Sequence, residues 1–217
     1  RDAAVAWMVE AGWDADWHAP VVAETYDGAL NDINGQHITA KQAIDAMREA
    51  VSGPVIEGSV GGGTGMVCNG FKGGIGTASR RFNVHENKYV VGVLVQCNYN
   101  WNGKDLRLGS QSVASRLPVG QHCHIDRNIS RSKNWYPYCE DQMATIASRT
   151  RDGSIIVVIA TDAPLLPHQL RRLAKRPSLA LGRLGAVSSD GSGDIFVAFS
   201  TANSGQMNEH LTTNVMQ

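Results

Sequence analysis

The stretch most able to do chemistry is Gly153-Ser154, set directly before the apolar run Ile155-Ile156-Val157-Val158-Ile159-Ala160-Thr161-Asp162. Serine at the mouth of a buried strand has two readings. One is a polar loop, Ser148-Arg149-Thr150-Arg151-Asp152, that simply enters the core. The other is a scissile bond. Breaking Gly153–Ser154 would leave Ser154 as a new N-terminus carrying both a hydroxyl nucleophile and an amine. That amine titrates around pH 8 and can take the proton of the hydroxyl, which is a poor nucleophile without a base.

Other residues could complete such a site. Asn98 ends the apolar run Val90-Val91-Gly92-Val93-Leu94-Val95-Gln96-Cys97, and its carboxamide can donate to a developing oxyanion. A strand-end turn residue is the plainer alternative. Ser192-Gly193-Asp194 precedes Ile195-Phe196-Val197-Ala198-Phe199, so a second hydroxyl and a carboxylate stand at another strand mouth. Tyr26 closes Val21-Val22-Ala23-Glu24-Thr25, read as a strand, ahead of a turn dense in Asp, Asn and Gly, where a catalytic hydroxyl is common. Trp13 and Trp17 are packing anchors or the lining of an apolar substrate pocket.

Two further constellations argue against themselves. Nine of the residues between Gly58 and Arg80 are glycine, but no phosphate loop is complete. Gly65 and Gly70 have the P-loop spacing with Phe71 where lysine is required, and no G-x-G-x-x-G is present. The glycines still let backbone approach a substrate closely. His122, Cys123, His124 and Cys139 lack zinc-ligand spacing, so no metal and no other cofactor is expected. A Cys123–Cys139 disulfide is possible, while Cys68 and Cys97 read as small buried residues with free thiols.

The elements that must position these groups are legible in part. Ala3, Ala4, Trp7, Met8 and Ala11 suggest a short helix ended by Gly12. Thr39-Ala40-Lys41-Gln42 is a capping box opening a helix through Ala43, Ile44, Met47 and Val51, which Gly53-Pro54 stops. A third helix begins within Pro164-Leu165-Leu166-Pro167-His168, with Pro177 breaking it and its basic residues solvated. Residues 101–152 show no sustained period and read as a long excursion.

Composition bounds the partners. Of 217 residues, 42% are hydrophobic and 18% charged, which is globular. Lys+Arg and Asp+Glu both total 20, which argues against a nucleic-acid partner. No apolar run reaches membrane-spanning length, so no membrane partner is expected. A single domain in the cytoplasm is expected, with the periplasm or secretion as alternatives.

Five separated blocks carry a resemblance over most of the chain. They are Glu24–Asp32, Gly70–Arg80, Val93–Tyr99, Gly153–Leu165 and Gly191–Phe196. In order, they resemble the DmpA-type aminopeptidases, a family of L-aminopeptidase/D-amidase-esterases and β-peptidyl aminopeptidases. The resemblance implies an α/β (α+β) fold, a four-layer αββα sandwich like that of the N-terminal nucleophile hydrolases with different connectivity. It implies self-cleavage into 1–153 and 154–217, with Ser154 the nucleophile, Ser192 and Asp194 assisting, Asn98 the oxyanion donor and Tyr26 an active-site hydroxyl. Small peptide, amide or ester substrates and a homo-oligomer of processed heterodimers follow as expectations. The family also carries chain before the part matching Arg1 and a helical tail after Gln217. Parts of the sandwich are therefore expected outside this stretch. An inactive relative serving as a binding or assembly subunit is the alternative.

Overall fold

The computed structural model describes residues 1–13, 19–100, 103, 105–109, 111–113, 116 and 153–203. Its centre is a four-stranded sheet made of β3 (Gly74–Val84), β4 (Asn87–Asn98), β7 (Ser154–Thr161) and β8 (Ile195–Ser200), in the order β3-β4-β7-β8. The first two pairs are antiparallel and β7–β8 is parallel. A parallel neighbour needs a crossover. Helices α3 (Pro167–Ala174) and α4 (Arg176–Arg183) supply it. Pro177 lies in the first turn of α4, where its missing N–H costs nothing, so the expected break falls between two short helices.

β7 explains the sheet's two faces. Its burial alternates strictly, with Ile155, Val157 and Ile159 only 2–3% exposed. Side chains alternate across a strand, so these three share one face. There they meet Val91, Val93 and Val95 of β4, Phe196 and Ala198 of β8, and Leu173 and Leu181 of the crossover helices. Each buried branched side chain stabilises the fold by about 1.5–3 kcal/mol. The opposite face carries Ser154, Ile156 and Val158, and register sets Asn98 and Gln96 beside them. Among the described residues, the mixed α/β architecture is therefore one sheet with one helical layer on the core side.

Smaller elements decorate this sheet. α1 (Asp2–Glu10) and α2 (Ala40–Arg48) pack on each other and are tied by Arg48 and Glu10 at 2.6 Å. The Thr39–Gln42 capping box opens α2. A two-residue hairpin joins β1 (Val67–Cys68) to β2 (Phe71–Lys72). Its turn, Asn69-Gly70, has positive φ at both residues (52° and 75°), as a type I′ turn requires. A second small hairpin pairs β5 (Arg107–Leu108) with β6 (Gln111–Ser112).

Two expectations need correction. Residues 21–28 do not form a strand: they join no ladder, and Val21 and Val22 are exposed. The glycine-rich stretch runs into long strand β3, at whose start Gly74 has no room for a Cβ, which would run into the Gly58 carbonyl. Cys68 and Cys97 are not free thiols but a disulfide, their Cα atoms 5.7 Å apart. Closing that loop of 29 residues stabilises by roughly 3–4 kcal/mol on the chain-entropy model. His122, Cys123, His124, Cys139 and the lead-in Ser148–Asp152 lie outside the described residues.

Candidate active site

The centre of the site is the end of the β4–β7 ladder. Ser154, the first residue of β7, pairs directly with Asn98, the last of β4. Antiparallel partners sit close, with side chains on one face. Asn98 is completely buried. A buried carboxamide must be bonded on both ends. Its Oδ1 accepts from the Val67 N–H at 2.9 Å, and its Nδ2 donates to the Tyr26 carbonyl at 2.7 Å. These bonds fix the amide plane and spend one of the two Nδ2 hydrogens.

The β8 side supplies the remaining groups. The N–H of Gly193 donates to Ser154 Oγ at 3.2 Å. Ser192 Oγ lies 2.6 Å from the Gly153 carbonyl oxygen and 2.7 Å from Oδ1 of Asp194. One hydroxyl proton thus faces two acceptors, one of them the carbonyl of the Gly153–Ser154 peptide bond. Asp194 Oδ2 also accepts from Ser188 Oγ at 3.5 Å. Gly153 is seated against backbone: a Cβ there would lie 2.4 Å from Tyr99 Cα and 2.7 Å from the Asn98 carbonyl oxygen. A side chain at this position would push the bond away from β4.

The structure therefore brings Ser154, Gly153, Asn98, Ser192 and Asp194 together. Tyr26 joins them through its backbone carbonyl, while its ring lies over Gly28, within 2.7 Å of where a Cβ would stand. Trp13 closes α1, its N–H donating to the Met8 carbonyl, and its half-exposed ring stands outside the core cluster. Trp17 lies outside the described residues.

Sequence reading missed the groups that hold the site. Gln96 Nε2 donates to Thr25 Oγ1 at 2.7 Å, and Thr25 Oγ1 donates to Met66 Sδ at 2.8 Å. Gln96 Oε1 fills the space that a Cβ on Gly62 would need. These bonds anchor the residue before Tyr26. The signal was present, since Gln96 lies two residues before Asn98 and so on its face. The Val67 and Gly193 amides carry no side-chain signal at all. Behind the site, on the helix side, a small cavity is lined by Tyr99, Ile155, Leu181, Ser192 and Asp194, among others. Burial pushes the Tyr99 phenol above its usual range, so it stays neutral there. Among the described residues no group of three or more His, Cys, Asp or Glu is placed to hold a metal, and no helix is long and apolar enough to cross a membrane.

Comparison with known proteins matches residues 1–217 to peptidase family S58. The chain is 51% identical over 203 residues to the β-peptidyl aminopeptidase BapA of Sphingosinicella microcystinivorans, covering 94% of this chain and 48% of that protein. Identity to the β-peptidyl aminopeptidase BapA of Sphingosinicella xenopeptidilytica is 41% over 184 residues, covering 84% and 42%. A solved β-aminopeptidase from Burkholderia sp. superimposes with a TM-score of 0.75 at 42% identity, over 100% of this chain and 56% of that one. The L-aminopeptidase D-Ala-esterase/amidase of Ochrobactrum anthropi, described as a prototype for the serine aminopeptidases and a new variant among the Ntn hydrolase fold, gives a TM-score of 0.76 at 39% identity. It is covered over 100% of this chain and 55% of that one. The chain spans about half the length of the curated relatives it matches.

Proposed function

The chain belongs to peptidase family S58, and on that premise we propose that it carries the self-cleavage point and the nucleophile of a serine aminopeptidase. The observation supporting this most directly is the clamp on one peptide bond. Ser192 Oγ meets the Gly153 carbonyl oxygen while the Gly193 N–H meets Ser154 Oγ.

In the proposed first stage, Ser154 Oγ attacks the Gly153 carbonyl carbon. The Ser192 hydroxyl donates to the oxygen as charge develops on it. The proton that Oγ gives up passes to the Ser154 nitrogen as the C–N bond breaks, leaving an ester on Ser154, and water hydrolyses that ester to a Gly153 carboxylate and the free hydroxyl. Residues 1–153 and 154–217 become separate chains. Before the cut the Ser154 nitrogen is an amide and cannot act as a base; afterwards it is an amine that can.

In the second stage, the Ser154 amine takes the Oγ proton as Oγ attacks the N-terminal amide or ester of a small substrate. The tetrahedral oxygen is stabilised by the second Nδ2–H of Asn98. The same proton passes to the departing amine, and water then releases the acyl group. Ser192 relays the hydrogen bond between Asp194 and the site, and Asp194 balances positive charge on the Ser154 amine or on the substrate's amino terminus. Tyr26 supplies a hydroxyl at the rim, and Trp13 and Trp17 are assigned to substrate packing. The shared description of the two curated relatives makes peptides with an N-terminal β-amino acid the first substrates to try. Processed heterodimers assembling into a homo-oligomer complete the reading. The Cys68–Cys97 disulfide removes the support that free thiols gave to a cytoplasmic location and favours an oxidising compartment.

Purified full-length protein resolved by mass spectrometry tests this. Fragments meeting between Gly153 and Ser154 are expected, with a single uncut chain and no amidase activity for Ser154→Ala. Aminoacyl p-nitroanilide hydrolysis by uncut Ser154→Ala would overturn the mechanism, and a folded, uncut, inactive wild type would instead favour a binding subunit.

A further inference from the structure

The residues flanking the Asn98 hydrogen bond are covalently joined to each other. Val67, whose N–H donates to Asn98 Oδ1, is followed by Cys68; Asn98 is preceded by Cys97; and Cys68 and Cys97 form the disulfide. A short closed circuit results, running from Asn98 through Cys97, the two sulfurs, Cys68 and Val67, and back across the 2.9 Å hydrogen bond. Along the chain the same donor and acceptor are 31 residues apart.

Val67 is itself buried, and its N–H is committed to Asn98. It belongs to a hairpin with two residues in each strand, too small to persist alone. The hairpin's other ties include the Asn69 N–H to the Tyr99 carbonyl at 2.9 Å, Asn100 Nδ2 to Asn69 Oδ1 at 2.9 Å, Lys72 Nζ to the Gly63 carbonyl at 2.9 Å and the Gly73 N–H to the Met66 carbonyl at 2.8 Å. Gly73 has no room for a Cβ, which would lie 2.5 Å from the Cys97 carbonyl oxygen and 3.0 Å from Cys68 Cβ. The hairpin is therefore drawn tightly onto the end of β4 at the position of the disulfide. Cys97 points to the core side of the sheet, while Asn98 points to the Ser154 side. The covalent link thus acts from behind the strand and stays clear of substrate.

We propose that the Cys68–Cys97 disulfide is a positioning device that fixes the plane of the Asn98 carboxamide, and through it the aim of the oxyanion donor. This rests on the reading of Asn98 given above. With the sulfurs separated, the Val67 N–H loses its fixed distance to Oδ1, the amide gains freedom to turn, and its remaining N–H no longer keeps station opposite Ser154. Such a loss acts on the transition state and leaves ground-state binding largely untouched.

The test uses processed full-length protein and a chromogenic aminoacyl p-nitroanilide. Alkylation and mass spectrometry before reduction should show Cys68 and Cys97 linked; free thiols at both in active protein would overturn the proposal. Complete reduction by tris(2-carboxyethyl)phosphine, with circular dichroism unchanged, should lower kcat about ten- to a hundredfold and leave KM within about twofold. Reoxidation should restore kcat. Cys68→Ala/Cys97→Ala provides a second route if the reductant unfolds the protein. On an Asn98→Ala background, removing the disulfide should cost nothing further. An unchanged kcat on reduction, with Asn98→Ala inactive, sinks the positioning role alone. Full activity in Asn98→Ala sinks the oxyanion reading and this inference with it.

Discussion

The backbone N–H of Gly193 donates to Oγ of Ser154 across 3.2 Å, so the hydroxyl proposed as nucleophile is oriented by a residue that tolerates little side chain. A Cβ on Gly193 would lie 3.2 Å from that same Oγ and 3.8 Å from Ser154 Cβ. Gly193→Ala must therefore shift the hydroxyl by a few tenths of an ångström, and Gly193→Val by more. Self-cleavage timed on denaturing gels should slow by roughly tenfold for alanine and further for valine, because small misplacements of reacting atoms are costly. Equal rates for all three would show that this contact does not orient the attack.

Ser192 has one proton and two acceptors, which separates its role from that of Asp194. Ser192→Ala removes the donor facing the Gly153 carbonyl and should slow processing about a hundredfold or more, as loss of an oxyanion donor does. Asp194→Asn keeps the shape but loses the charge. Its larger effect should fall on kcat of already processed enzyme. A cleavage half-time that responds to Asp194→Asn as strongly as to Ser192→Ala would merge the two roles.

Gly153 precedes Ser154 for a steric reason distinct from backbone freedom. Its missing side chain lets the bond lie against Asn98 and Tyr99, and both close approaches are to main-chain or Cα atoms that cannot swing aside. Gly153→Ala should leave an uncut chain destabilised by about 1–3 kcal/mol, the usual cost of overpacking. Urea denaturation read together with the gel distinguishes this from a purely chemical defect.

Glu57 offers a pH-dependent tie to the edge strand. Its carboxylate accepts from both the N–H and the hydroxyl of Thr77 on β3, and these bonds hold its pKa below the ordinary 4.5. A carboxyl lowered in the folded state contributes stability above its unfolded pKa and loses it as pH falls through the folded one. Thermal melts should therefore drop below about pH 4.5. Glu57→Gln should flatten that limb while leaving neutral-pH activity unchanged.

Legibility followed side-chain periodicity. β7 and β8 were readable because unbroken β-branched and aromatic runs need burial, and α2 because Thr39 and Gln42 form a reciprocal cap. Ser154, Asn98, Ser192 and Asp194 were readable as polar residues at strand mouths. The segment around Tyr26 reads as a strand because Val21, Val22 and Thr25 are β-branched, while its anchoring comes from Thr25 and from the Tyr26 carbonyl. The Asn69-Gly70 turn was overlooked amid neighbouring glycines, although it sits between residues that pair. The disulfide was illegible because Cys68 and Cys97 are 29 residues apart, and only the hairpin's landing on β4 brings them together.

The place of β7 in the sheet bears on the proposed cut. It lies between β4, upstream of the scissile bond, and β8, downstream of it. After the proposed cleavage the β4–β7 ladder, with its eight paired positions, would become the seam between two polypeptides. Severing one covalent bond at the edge of that seam leaves its hydrogen bonds and its apolar contacts in place. The two products of that cut would be wedded by the interior of a single sheet, and fragments synthesised apart would have to complete one another's fold before they could meet as partners.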